Sequence, residues 1–100
     1  MVSLTFFGGV GEVGGNKILI KDRDASILLD FGRSFNLSRD YYSPPYLAPR
    51  NELELLELGI LPRIRGVYRF DDSKESVDAV FLSHSHLDHS GHITFLKRSI

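Results

Sequence analysis

All four histidines of this 100-residue chain fall between positions 84 and 92, directly behind the strand-like segment Val77–Leu82. The segment reads Ser83-His84-Ser85-His86-Leu87-Asp88-His89-Ser90-Gly91-His92. A polar turn with incidental histidines is a poor account of that clustering. A metal site is the better one, and with no cysteine in the chain it must be built from imidazoles and carboxylates. Such ligands suit Zn²⁺, Mn²⁺ or Fe. In an extended segment residues i and i+2 point the same way, so His84 and His86 can reach one ion. Asp88 and His89 are adjacent and diverge, so a turn there lets them serve a second ion. Two ions about 3.5–4 Å apart can clamp an attacking hydroxide and polarise an ester or amide. Ser85, Ser90 and Gly91 are small enough to let the loop fold tightly. Its place after a strand gives the constellation a rigid mount.

The rest of the sequence narrows the class. One hundred residues make one small domain with one modest core. Twelve Lys and Arg against thirteen Asp and Glu exclude a strongly basic nucleic-acid tail, though not a local basic groove. The longest apolar run, Ala79–Leu82, is too short to span a membrane. No basic segment followed by an apolar stretch opens the chain, so a cytoplasmic protein is the expectation.

Along the chain, Val2–Phe7, Lys17–Lys21 and Ala25–Phe31 read as strands, with Asp22-Arg23-Asp24 as a hairpin turn. Arg33–Arg50 carries three prolines (Pro44, Pro45, Pro49) and three tyrosines (Tyr41, Tyr42, Tyr46), and reads as a long loop. Asn51–Leu58 reads as a helix, with Asn51 as N-cap, Glu54 as its capping-box partner and Gly59 as C-cap. Arg63–Ser76 has no clear period. Val77–Leu82 is a buried-type strand, and Ile93–Ile100 reads as the start of a helix. Gly9-x-Gly11-x-x-Gly14 matches a dinucleotide-binding fingerprint on spacing alone. A strand rather than a helix follows it, and Glu12 would repel a phosphate, so that reading is rejected. Arg50, Arg63, Arg65 and Arg69 are taken as solvated surface, and the tyrosines as packing residues.

The motif His84-x-His86-x-Asp88-His89 after a buried strand resembles the signature of the metallo-β-lactamase superfamily. Gly8-Gly9-Val10-Gly11-Glu12-Val13-Gly14-Gly15-Asn16 resembles the N-terminal loop of its β-CASP branch, which includes ribonuclease J. Asp30-Phe31-Gly32 looks like the superfamily's first motif. The resemblance implies an α/β (α+β) fold: the N-terminal half of an αββα sandwich, as a single partial domain over residues 1–100. It implies that His84 and His86 ligate one zinc and Asp88 and His89 a second, with Mn²⁺ or Fe as substitutes. Asp88 would also orient or deprotonate the nucleophilic water. Asp30 would stand behind the ligands and hold the loop by hydrogen bonds. His92 has no ligand role in the pattern, and is assigned to a helix cap or to support behind the ligands.

The superfamily's site needs a further His, a bridging Asp and a final His, none of which this chain contains. A fragment of a longer protein is therefore expected. The function implied is a zinc-dependent hydrolase of phosphodiesters, with RNA as substrate. The competing readings are a non-catalytic metal-binding or assembly module, and a superfamily hydrolase of other esters, thioesters or lactones. The chain by itself is expected to hydrolyse nothing. An uncovered sheet face, with Leu4, Phe6, Ile18, Ile20, Leu28 and Phe81 named for it, predicts homodimers or self-association.

Overall fold

The computed structural model describes residues 1–12, 14–33 and 52–100, with the backbone alone for Glu52 and Asp88. The long loop, its tyrosines, Arg50 and the Asn51 cap lie outside the described residues.

Three strands form a meander. β1 (Val2–Gly8) pairs antiparallel with β2 (Lys17–Asp22), and β2 with β3 (Ala25–Leu29). The turn between β2 and β3 falls at the predicted Asp22-Arg23-Asp24, with Arg23 at φ 54°. After a crossover, β4 (Ala79–Phe81) adds parallel to β3, giving the order β1-β2-β3-β4. The short helix α1 (Glu52–Glu57) ends as its sequence predicts. Gly59 takes φ 76°, its N–H reaches the Leu56 carbonyl, and Ile60 N–H reaches that of Leu55. That is the glycine-closed helix end, with Leu55 and Ile60 buried together.

Strand register sorts the apolar side chains onto two faces. Leu19 faces Leu28, and Leu28 faces Val80. This face packs with Phe31, Leu55, Leu61, Val67, Tyr68 and Leu96 to form the core. Leu4 faces Ile20, Phe6 faces Ile18, and Leu29 faces Phe81, all on the opposite face. There Leu4, Phe6 and Phe81 are exposed. Leu28 is therefore a correction: it is fully buried, because its register with Leu19 turns it away from the open face. Ile18 and Ile20 are half-buried.

The stretch without a period, Arg63–Ser76, supplies core through long-range backbone bonds. Lys97 N–H binds the Val67 carbonyl at 2.8 Å, and Arg69 N–H that of Phe95 at 3.0 Å. Asp71 ties its own turn by accepting from the N–H groups of Gly66 and Ser73. The helix expected over Ile93–Ile100 is corrected. Only a 3₁₀ turn, Ile93–Phe95, forms, because Leu96 is already extended and pairs with Tyr68. Among the described residues no helix is long and apolar enough to cross a membrane.

Candidate metal centre

Two chain segments meet at the C-terminal ends of β3 and β4. The first is Asp30-Phe31-Gly32-Arg33. Asp30 sits at φ 61°, a left-handed backbone that costs a non-glycine residue roughly 1–2 kcal/mol. The second is the histidine loop, which leaves β4 and enters a single helical turn, α2 (Leu87–Ser90). Backbone bonds knit the two. Asp30 N–H reaches Phe81 at 2.8 Å, Phe31 N–H reaches His89 at 2.9 Å, and Arg33 N–H reaches Leu87 at 2.9 Å. His92 N–H returns to the Phe31 carbonyl at 3.0 Å. Gly91 lets them approach, since a Cβ there would collide with the Leu87 carbonyl and the Arg33 side chain.

Asp30 is the hub. One carboxylate oxygen accepts from Ser83 N–H at 2.7 Å. The other takes Ser83 Oγ at 2.9 Å and His89 Nδ1 at 2.7 Å. Desolvation pushes this carboxyl up, but the hydrogen bonds from His89 and Ser83 together hold it below the usual carboxylate range. It is therefore ionised at neutral pH and can only accept, so His89 carries its proton on Nδ1. A metal would then take Nε2. That is the arrangement in which a carboxylate fixes the tautomer and ring orientation of a ligating imidazole. The Asn16 amide nitrogen lies 3.4 Å from the same Nδ1.

The structure brings three of the four histidines together. The rings of His84 and His89 are 3.9 Å apart between centroids, and those of His84 and His86 are 4.8 Å apart. Ser83 Oγ stands 3.1 Å from His84 Nδ1, so its Nε2 is again the nitrogen for a metal. His84 and His86 are exposed. Among the described residues no three His, Asp or Glu side chains converge tightly enough to hold an ion as they stand. The Asp88 side chain, a predicted ligand, lies outside the described residues. The donor set nonetheless fits a metal: imidazoles side by side on the loop, two of them with Nδ1 engaged by oxygen.

His92 is elsewhere. Its ring is buried against Phe95, 5.7 Å between centroids. It stands at the start of the 3₁₀ turn but its side chain makes no cap hydrogen bond, which corrects the cap reading. Its backbone, not its ring, supports the site.

Sequence reasoning missed two contributors. Ser83 has no role in the sequence reading, although it bonds Asp30 twice. Lys17 reads only as part of a strand, yet it is 2% exposed with Nζ on the Gly32 carbonyl at 2.6 Å. The available signal was parity: Lys17 shares the core-facing side of β2 with Leu19.

Comparisons with known proteins bear on this site. The family model of the metallo-beta-lactamase superfamily matches residues 10–100. The transcription termination factor FttA of Pyrococcus abyssi is 31% identical over 99 residues, covering 97% of this chain and 13% of that protein. Ribonuclease J of Helicobacter pylori is 25% identical over 99 residues, covering 99% of this chain and 12% of that protein. The chain thus spans about an eighth of the length of these relatives. A crystal structure of a protein of unknown function from Enterococcus faecalis V583 shares the fold with a TM-score of 0.66 at 31% identity, over 93% of this chain and 23% of that one. These similarities agree with the expected α+β architecture.

Proposed function

We propose a metal-dependent hydrolase of RNA phosphodiesters, from the premise that this chain belongs to the metallo-beta-lactamase superfamily. The observation that carries the reading is the Asp30–Ser83–His89 hydrogen-bond hub behind an exposed row of imidazoles. A catalytic site needs its ligands held before substrate arrives, and that hub holds one of them. The nuclease reading is supported by the similarity to ribonuclease J, and RNA as substrate extends it.

His84 and His86 would hold one ion, and Asp88 and His89 a second. Bound metal would supply Lewis acidity toward a phosphodiester and lower the pKa of water. The chain's own part is orientation and proton handling. Asp30 keeps the His89 ring turned outward by fixing its Nδ1 proton. Ser83 crosslinks Asp30 to the start of the loop. Asp88 would orient the attacking water and accept its proton, which is general-base work. Four ligands from one loop leave two per ion, whereas catalytic zinc has about three protein ligands. The remaining ligands would come from sequence outside these residues.

Two variants in the intact protein test the assignment. His86→Ala should lower metal stoichiometry, measured by elemental analysis. Asp88→Ala should abolish cleavage of a single-stranded RNA even where metal remains. Normal turnover in Asp88→Ala would sink the mechanism. A metal-loaded wild-type protein that cleaves no RNA would favour the non-catalytic or other-ester readings.

A further inference from the structure

Residues 31–33 have every backbone group satisfied. Their N–H groups go to His89, Asn16 and Leu87. The Phe31 carbonyl accepts from His92 N–H, and the Arg33 carbonyl from Gly15 N–H at 2.8 Å. The middle carbonyl, Gly32, is different: its partner is a side-chain ammonium, Lys17 Nζ, at 2.6 Å. The same ammonium lies 5.2 Å from the centre of the buried Phe31 ring.

A lysine is an unusual choice for this place. Burial pushes its amine down to about 8, against a smaller opposing pull from the Glu12 carboxylate. On packing alone the core-facing end of β2 would favour an apolar side chain, because desolvating the charge is unfavourable. What the lysine provides is a charged donor at the one carbonyl of the bend that, among the described residues, no backbone N–H reaches, together with a cation over an aromatic face. Both contacts fall on the two residues directly after Asp30, whose left-handed backbone needs an external hold.

We propose that Lys17 is a positioning residue of the metal centre: by clamping the Gly32 carbonyl and the Phe31 ring it holds the bend that aims the Asp30 carboxylate at His89 and Ser83. The inference rests on the reading of His89 as a metal ligand. Lys17 acts through Asp30 and touches no ligand itself.

The test uses the intact protein. Lys17→Met keeps the length and apolar stem but removes the donor. Its His89 imidazole, followed by ¹⁵N NMR without metal, should lose the Nδ1–H signature imposed by Asp30. Its affinity for Zn²⁺, titrated calorimetrically, should fall about tenfold, within the range for groups that orient ligands. In an Asp30→Asn background the same change should cost less than twofold, since the route through Asp30 is already broken. A merely structural lysine would shift the unfolding midpoint and leave the His89 signature intact, and that result overturns the proposal. Should Lys17→Met fail to fold, Lys17→Gln takes its place. Loss of the fold in both overturns the proposal too, because the lysine would then serve the core as a whole. Wild-type protein that binds no Zn²⁺ overturns the metal reading, while the NMR arm still decides the role of the lysine.

Discussion

His92 and His84 lie eight residues apart in the sequence and in opposite physical settings. His92 is 4% exposed, its ring lies against Phe95, and its Nδ1 has no hydrogen-bond partner among the described residues. His84 stands on an exposed rim, its ring tilted against that of His89 and its Nδ1 beside Ser83 Oγ. Between them His89 shares both worlds: half-buried, pinned by Asp30 on one nitrogen and facing the rim with its ring. The lesson is that one loop carries two kinds of histidine. The interior one is packed into the fold, and the rim ones are the ligands of the proposed metal site. Asp30 joins the two regions, because the backbone that aims it is anchored inside.

The largest test of that division is acid. Burial drives the His92 imidazole down to about 3, helped by the nearby positive charges of Lys17 and Arg33. An unfolded chain would bind that proton near 6.5. Between those two values the unfolded state holds more protons, so stability falls as pH falls. At about 1.4 kcal/mol per unit, the full loss is on the order of 5 kcal/mol. His92→Phe should remove this part of the slope, measured as urea unfolding between pH 3.5 and 7. Equal slopes for the two proteins would show that the interior histidine is not held neutral by the fold.

How much of this was legible in the sequence follows the same boundary. The strands were readable because apolar parity repeats over several residues, and the helix end because Gly59 has one obvious use. The juxtaposition of His84, His86, His89 and Asp30 was readable because their residue types and spacing follow one pattern. The interior was not. Nothing in Arg63–Ser76 announces that Val67 and Tyr68 enter the core, since backbone pairing with Phe95–Lys97 puts them there. That same pairing stops the helix expected after Ile93. Leu28 reads as a residue of the open face because parity alone does not tell which face is covered. A buried lysine runs against ordinary burial preference, so only its parity with Leu19 hinted at it.

The second test crosses the boundary. Asp30→Asn keeps the side-chain shape but puts an amide where two acceptor oxygens stood. One of the contacts from Ser83 and His89 must then face a donor. The expected result in the intact protein is a fall of about 10–100-fold in metal affinity, the usual range for a carboxylate that orients a ligating imidazole. Calorimetric Zn²⁺ titration checks it. An unchanged affinity would mean that His89 is placed by the backbone alone, through its carbonyl on Phe31 N–H.

The smallest expected effect is the most exacting. His84→Ala removes a ring that is exposed, belongs to no part of the core cluster and sits outside every strand and helix. What it gives up in the metal-free protein is its ring contacts with His89 and His86 and the contact with Ser83 Oγ. Ser83 keeps its two bonds to Asp30 without it. Surface changes of this kind move stability by about 0.5 kcal/mol or less. The metal-free variant should therefore unfold in urea within that margin of wild type. On the proposed assignment its Zn²⁺ stoichiometry, by contrast, should fall, because one of the two loop ligands assigned to an ion is gone. A variant that loses stability well beyond the margin would place His84 with the interior histidine, and the division between folding and chemistry along this loop would fail.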